Sequence, residues 1–168
     1  SKETPVYLGA AVRYFSLEDK LTASGSDLMV SRSIKRIIND KKSVPVLDGG
    51  ALVSGDIIEV NLTLESKNAY QYLILRDPKP AGCEPYHLSS GYRFEERKEE
   101  NALYGYYSEL ADKETRFFLS ALPKGIHTLT YKLRVERPGT YTALPAEITA
   151  MYAPLLHGNS DENILEIQ

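Results

Sequence analysis

The chain has 168 residues, a length that fits one domain, or one domain with part of a neighbour. Its net charge of −3 and the absence of a basic stripe argue against nucleic-acid binding, and no apolar run approaches the roughly 18 residues of a membrane-spanning helix. The single cysteine, Cys83, excludes an internal disulfide. Tyrosine is unusually common, at 12 residues against 4 phenylalanines, and it favours strands.

The first two predicted strands are imperfect. Residues 7–17 have the composition of a strand, and a polar link over 18–27 follows. Residues 28–38 place apolar side chains on one face, but Arg32 and Arg36 share that face. The interrupted apolar face predicts that this strand lies at a sheet edge.

The next two strands have clearer patterns. Residues 57–64 alternate between apolar and polar side chains, which predicts a half-buried strand. Residues 70–77 are apolar on both faces, so we expect a central strand that is covered on both sides. Pro78 and Pro80 end it, because proline cannot donate to a strand ladder.

Residues 86–113 form a long excursion that is rich in tyrosine and carries the charge run RFEERKEE at 93–100. A segment of this length inside a compact domain commonly has a function of its own. We expect a surface excursion with one short strand near 104–110, and its candidate interaction residues are Tyr92, Tyr104, Tyr106 and Tyr107.

The C-terminal part of the chain predicts four further strands. They cover 115–119, 126–136, 140–152 and 163–167. The apolar phase of the third shifts at Pro145, which indicates a bulge or a crossing between sheets. No segment keeps a helical apolar period, so the fold class predicted is all-β: an antiparallel two-sheet sandwich of the immunoglobulin or fibronectin type, with seven to nine strands.

No constellation of catalytic or metal-binding residues is visible. There is no G-x-S-x-G motif, and His87, His127 and His157 are too far apart in sequence for a close-spaced metal pair. Cys83 cannot form an internal thioester, because position 86 is Tyr86 where a glutamine is needed, and it has no basic neighbour in sequence to lower its pKa. The sequence therefore predicts no enzyme activity, no metal and no cofactor, with Cys83 as a structural thiol.

Six short motifs, in order, resemble those of one family. Residues 77–85, DPKPAGCEP, resemble the D-P-x-P-A-G-(apolar)-E-P segment of the C-terminal macroglobulin (MG10-like) domain in bacterial alpha-2-macroglobulin-like proteins. The other matching segments are GDIIEV at 55–60, YSELADK at 107–113 followed by FF at 117–118, LPKG at 122–125, PGTY at 138–141, and MYAP at 151–154. Residues 28–32, LMVSR, are also similar to the family's start. Ala111, Leu155 and His157 stand where the family pattern has Arg, Glu and Arg.

The resemblance implies a macroglobulin-like sandwich over residues 28–168, with residues 1–27 as a leading strand or linker from a preceding domain, or an extra edge strand. It implies the non-catalytic C-terminal domain of a protease trap, packed against a thioester-type domain of the same parent chain. Met151 and Tyr152 would shield the thioester from water. Target proteases would be engaged only indirectly, without nucleic acid and without a membrane span in this segment. The location implied is the periplasm or cell envelope, by secretion, with lipid anchoring through the parent chain.

One alternative remains open on the residues alone. The tyrosine-rich excursion is also compatible with a standalone surface module of the immunoglobulin type that binds another cell-surface protein or a carbohydrate. The parent gene would discriminate between the two, because a protease trap needs further sandwich domains upstream.

Overall fold

The computed structural model describes residues 12, 20–39, 42–46, 51–94, 103 and 105–168, and in them the fold is all-β. These residues include no helix that is long and apolar enough to cross a membrane. Apart from residue 12, the predicted strand at 7–17 lies outside the described residues. The strands are β1 (Ser24–Gly25), β2 (Leu28–Asn39), β3 (Lys42–Pro45), β4 (Ala51–Leu52), β5 (Ile57–Ser66), β6 (Tyr70–Pro78), β7 (Cys83–Pro85), β8 (Gly91–Phe94), β9 (Gly105–Leu110), β10 (Glu114–Leu122), β11 (Gly125–Val135), β12 (Gly139–Ala143), β13 (Glu147–Ala150), β14 (Ala153–Asn159) and β15 (Asn163–Ile167).

Two larger sheets form the sandwich and a small third sheet accompanies them. The first sheet runs β1-β14-β13-β6-β10-β9-β8, and the second runs β3-β2-β5-β11-β7. The third runs β12-β15-β4, and its β15–β4 pair is parallel. The predicted antiparallel sandwich is confirmed, but the strand count of seven to nine was too low. The strands that were missed are mostly two to four residues long, which is too short for a period of two to register.

The core follows the predicted alternation. In β5, Ile58, Val60, Leu62 and Leu64 are buried, and the residues between them are partly exposed. On β11 the buried series is Leu129, Tyr131, Leu133 and Val135. The prediction for the segment 140–152 is also confirmed, because β12 lies in the third sheet and β13 in the first, and the chain crosses between them around Pro145.

β6 is central, as predicted, between β13 and β10 of the first sheet. Its inward residues Leu73, Leu75 and Asp77 are buried. The expectation that both faces are covered was wrong for this chain, because Ile74 is only half-buried and Tyr72 is 52% exposed. The outer face of β6 is therefore apolar and open at the same time.

The prediction that β2 is an edge strand was also wrong, because β2 lies between β3 and β5. The Arg32 side chain is 2% exposed and donates from Nη1 to Asp77 Oδ1 at 2.7 Å. It also donates from Nη2 to the carbonyl of Ala143 and from Nε to Asn163 Oδ1. Tyr131 Oη donates to the other Asp77 oxygen at 2.7 Å. This polar network joins β2 and β11 of the second sheet to β6 of the first and to the third sheet.

The Asp77 and Tyr131 side chains of this network are buried, and burial is the largest influence on the pKa of each. Burial raises the pKa of Asp77, while the Arg32 charge and the hydrogen bonds from Tyr131 and Arg32 act in the opposite direction. Burial and the Asp77 charge raise the pKa of Tyr131 well above its ordinary value, so its hydroxyl remains a donor. A buried arginine is tolerated here because its guanidinium donates three hydrogen bonds, one of them to the Asp77 carboxylate.

Residues 77–85 pack into the structure through a second contact. A Cβ placed on Gly82 would lie 2.4 Å from Tyr141 Cε2, so the ring occupies the space that any other side chain would need. The carbonyl of Gly82 accepts hydrogen bonds from the backbone N–H of Glu136 and Arg137. Tyr141 belongs to the PGTY segment, so two of the family-like motifs meet here.

Candidate functional site

The tip of the β13–β14 hairpin projects Met151 and Tyr152 away from the core. The strands pair up to Ala150 and Ala153, so the connection consists of these two residues alone. Met151 is 45% exposed and Tyr152 is 81% exposed. An exposed methionine beside an almost fully exposed tyrosine is an unusual use of apolar surface in the absence of a partner.

Tyr72 on β6 holds the tip from the side. Its carbonyl accepts a hydrogen bond from the Met151 backbone N–H at 2.8 Å, and its ring makes an edge contact with the Tyr152 ring at 5.6 Å between centroids. Tyr72 has a φ of 56°, a left-handed conformation that is costly for a residue with a side chain. A strained residue that supports an exposed tip indicates a geometry maintained for a purpose other than burial.

The two positions where this hairpin departs from the family pattern also face solvent. Leu155 is 66% exposed. The His157 ring is exposed, and its Nδ1 lies 3.1 Å from the carbonyl oxygen of Pro154, a contact within the same hairpin. Leu155 therefore adds to the apolar surface of the hairpin, and His157 makes a local contact with Pro154, the second residue after the tip.

The predicted interaction tyrosines do not share one environment. Tyr92 is 76% exposed, and its ring lies 5.1 Å from that of Tyr107. Tyr106 points inward, is 6% exposed and packs against Phe117 at 5.7 Å, so it is part of the core. Tyr104 lies outside the described residues. The predicted short strand is present as β9, and β8 pairs with it.

Sequence reasoning missed three exposed or half-exposed aromatic residues. Tyr72 was assigned to a covered strand, Phe94 to the charge run, and Phe118 to a motif match, yet all three lie on the first sheet. The alternation of Phe117 and Phe118 was the available signal, because consecutive strand residues face opposite sides. With Phe117 fully buried, Phe118 has to face outward.

No catalytic arrangement is found among the described residues. They contain no group of three His, Cys, Asp or Glu side chains able to hold a metal ion. His127 lies on the inward phase of β11 and contacts the carbonyl of Pro123 through Nε2, as expected for a histidine at the rim of the core. Cys83 is fully buried, and burial together with the Glu84 charge raises its pKa to about 12, so its sulfur remains a thiol.

Surface grooves also occur away from the tip in the described part of the chain. One groove of about 300 Å³ lies beside β1 and is lined by Met29, Thr63, Glu65 and Ile126 among others. Another of about 500 Å³ lies between the incoming chain and the β12–β13 crossing, beside Leu21, Pro78 and Leu144. The hairpin tip with Tyr72 is therefore the best-organised candidate site in the described part of the chain.

Comparison with known proteins gives one family model that matches residues 28–154, described as the bacterial alpha-2-macroglobulin MG10 domain. This range includes the hairpin tip and the segments that carry Arg32, Asp77 and Tyr141. No curated protein sequence matches the chain.

Solved structures with the same fold come from bacterial alpha-2-macroglobulins. A tyrosine-to-glycine mutant of the Salmonella protein matches with a TM-score of 0.69 and 19% identity, over 88% of this chain and 10% of that one. The native Escherichia coli protein, from domain MG7 to the C-terminus, matches with a TM-score of 0.67 and 22% identity, over 87% and 24%. The trypsin-activated E. coli protein matches with a TM-score of 0.66 and 21% identity, over 88% and 11%. The chain thus spans about a tenth to a quarter of these proteins.

Proposed function

Because this chain belongs to the bacterial alpha-2-macroglobulin MG10 domain family, we propose that it is the non-catalytic C-terminal domain of a larger protease-trapping protein. In this role it packs against a thioester-type domain of the same polypeptide, and Met151 and Tyr152 cover the thioester. Proteases are engaged by other parts of the parent, which acts in the periplasm or at the cell envelope.

The observation that carries this proposal is the hairpin tip. A thioester persists only where water is excluded, and a methionine beside an aromatic ring makes an adaptable apolar cover. Met151 and Tyr152 are the two residues of the β13–β14 connection, are both exposed, and are held by the backbone and the ring of Tyr72. A support of this kind keeps two apolar side chains presented before any partner arrives, which reduces the ordering cost on contact.

The proposal is tested with Tyr152→Ala in the full-length parent protein. We expect the thioester, measured by methylamine incorporation, to be lost faster than in the wild type, because water and amines reach it once the ring is absent. Tyr141→Phe is the matched control, since it alters a tyrosine hydroxyl whose hydrogen bond to the Pro138 carbonyl lies elsewhere in the fold. Unchanged methylamine reactivity in Tyr152→Ala, or a parent without a thioester, contradicts the shielding role.

A further inference from the structure

Residues 20–25 lie across the end of β14, and we call this segment the strap. Its last two residues form β1, which pairs antiparallel with β14 at the edge of the first sheet. All six strap residues are exposed, whereas Leu28 is fully buried only three positions later. The match to the family model also begins at Leu28. The strap is therefore an addition to the surface of the sandwich and contributes nothing to its core.

The connection between β14 and β15 makes two backbone contacts with the strap. The Ala23 N–H donates to Asp161 Oδ1 at 2.8 Å, and the Glu162 N–H donates to the Leu21 carbonyl at 3.1 Å. The bond between Ala23 and Asp161 is exposed, so water competes for both of its groups. An exposed hydrogen bond adds little to stability, because water offers the same groups equivalent partners.

Asn159, the last residue of β14, makes two more contacts with the strap. Its Nδ2 donates to the Thr22 carbonyl at 2.9 Å, and its Oδ1 accepts from the Ser24 hydroxyl at 2.9 Å. Both of these bonds are exposed as well. One amide side chain thus joins two strap residues to the sheet, and its removal should weaken the whole segment.

Open volume lies on both sides of the strap. A groove of about 300 Å³ is lined by Ala23, Ser24 and Gly25 together with residues of β2, β5 and β11. The groove of about 500 Å³ beside the β12–β13 crossing is lined by Leu21, Thr22 and Ser24. Leu21 is the one large apolar residue of the strap, and it remains 43% exposed. Exposed polar contacts without apolar burial place a segment at the low-stability end of a fold.

The docked position of the strap is nevertheless specific, because it depends on two glycines. A Cβ on Gly25 would overlap the Leu28 carbonyl oxygen, and a Cβ on Gly158 would lie 3.2 Å from the Ser24 carbonyl oxygen. Gly25 also has a φ of 150°, which residues with a side chain rarely adopt. The strap therefore has one defined docked arrangement, held by weak contacts.

We propose that the strap is a releasable device, which detaches from β14 as a unit while residues 28–168 stay folded. The hinge lies at Ser26, because the Asp27 carbonyl is anchored again by the Lys67 N–H at 3.0 Å. Release frees the six residues 20–25, which span about 20 Å when extended. The strap thereby sets how far the sandwich can move from the N-terminal part of the polypeptide. This inference concerns contacts inside the chain and does not rest on the proposed function.

Amide hydrogen exchange of the 168-residue chain, read by NMR at increasing urea below the unfolding transition, measures the release. The amides of Ala23 and Glu162 report the strap, and the amide of Leu62 on the central strand β5 reports the sandwich. Both strap amides should exchange at least about 100-fold faster than Leu62, relative to their intrinsic rates. Their rates should be nearly independent of urea, because release exposes little buried surface, whereas the Leu62 rate should rise.

Two results of this experiment would overturn the proposal. Strap amides that exchange as slowly as Leu62, with the same dependence on urea, would make the strap part of the sandwich. Strap amides that exchange as fast as in an unfolded peptide would mean that the docked strap is not populated in solution.

Asn159→Ala tests whether the strap opens as a unit. The reporting amides of Ala23 and Glu162 do not bond to the Asn159 side chain, so an effect on both has to pass through the strap. Both should exchange about tenfold faster in the variant, by the same factor, and remain independent of urea. Acceleration of only one of them, or of neither, contradicts release as a unit.

Ser26→Ala is the matched control for Asn159→Ala. The Ser26 hydroxyl donates to Asp27 Oδ2, a contact between neighbouring residues beyond the strap. Its removal should leave the exchange of both strap amides within about twofold of the wild type. An acceleration equal to that in Asn159→Ala would mean that the contacts of Asn159 do not hold the strap, and the proposal fails.

Spin labels measure the length that release supplies. Thr22→Cys and Tyr92→Cys place labels near the two edges of the first sheet, where six strand spacings separate β1 from β8, about 29 Å. Cys83 is fully buried and stays unlabelled. The distance distribution should be narrow in this pair, and broad with longer distances once Asn159→Ala and Asp161→Ala are added. A distribution that stays narrow would overturn the proposal.

Discussion

β6 joins two regions of opposite character that lie five residues apart. At one end, Asp77 is fully buried and bonded to Arg32 and Tyr131, and it links the sheets. At the other end, Tyr72 is half-exposed, adopts a left-handed conformation and supports Tyr152. The first end uses polar side chains inside the protein, and the second uses apolar side chains outside it.

The difference shows how to separate residues that maintain the fold from residues that act on a partner. A buried charge is expensive unless it is paired, so its removal should damage stability. An exposed ring contributes little to the isolated fold, so its removal should damage association instead. The predictions below test this division, from the largest expected effect on stability to the smallest.

Asp77→Asn should produce the largest loss of folding stability. It leaves Arg32 charged and buried without its counter-ion, which typically costs about 3–5 kcal/mol in the free energy of unfolding. Urea denaturation of the 168-residue chain measures it. The double variant Arg32→Met/Asp77→Leu should recover most of that loss, because both charges are removed together.

The control for Asp77→Asn is Glu136→Gln, which breaks the exposed ion pair with Arg134 and should leave stability unchanged within error. A loss in Asp77→Asn no larger than that of the control would mean that the network does not hold the sheets together.

Gly158→Ala tests how closely the β13–β14 hairpin packs against β2. A Cβ at Gly158 would lie 2.3 Å from the backbone oxygen of Leu28, which can move only with β2, so we expect a loss of about 1–3 kcal/mol. Gly105→Ala is the matched control on the same sheet, because its Cβ would lie 3.6 Å from the Phe94 ring, an ordinary contact. Thermal or urea unfolding compares the two. Equal losses would show that the close approach of Gly158 to β2 is unimportant.

Thr115→Val should slightly increase stability. Thr115 lies opposite Asp77 on β10, and its hydroxyl is the buried side-chain group that lacks a hydrogen-bond partner in the described part of the protein. Valine has the same shape without the hydroxyl, so we expect a gain of about 1 kcal/mol in the free energy of unfolding.

Ser160→Ala is the opposite case. The Ser160 hydroxyl accepts from the Ala146 N–H and donates to the Asp161 carbonyl, so its removal should cost about 1–3 kcal/mol. If Thr115→Val instead lowered the free energy of unfolding, the Thr115 hydroxyl would have to make a hydrogen bond in solution.

Tyr72→Gly should have the smallest effect on stability. Glycine adopts a φ of 56° without strain, which offsets the loss of a half-exposed ring, so we expect a change below about 1 kcal/mol. The Tyr152 ring loses its edge contact and should become more mobile, which NMR relaxation of the tyrosine side chain detects. An unchanged Tyr152 order parameter would show that the tip does not depend on Tyr72.

Much of the fold was predictable because several strands have a clear period of two. β5, β11 and β15 match their predicted segments closely, and the crossing at Pro145 was visible as a phase shift. Short strands such as β7 and β8 were missed, since three or four residues give no pattern. Arg32 was misread because an arginine in an apolar phase ordinarily marks exposure, and its burial depends on Asp77, which lies 45 positions away in sequence.

The candidate site was predictable only in part. Met151 and Tyr152 were identified from a motif, but their exposure, and the support from Tyr72, follow from the pairing of β13 with β6. The placement of Tyr106 in the core and of Tyr107 outside it follows from the alternation of β9, whose register only the sheet defines.

The sequence by itself determined the all-β class, the alternation of the main strands, and a set of short motifs that belong to one family. Only the tertiary structure decided what those motifs do. Arg32 of LMVSR and Asp77 of DPKPAG form one ion pair. Gly82 of DPKPAG packs against the ring of Tyr141 of PGTY. The physical reason is that alternation is a local property of the chain, whereas pairing and close approach depend on residues distant in sequence. The tertiary structure likewise brought Tyr92, Tyr107, Phe118 and Ile74 into one cross-strand row on the first sheet, and placed Tyr72 against Tyr152.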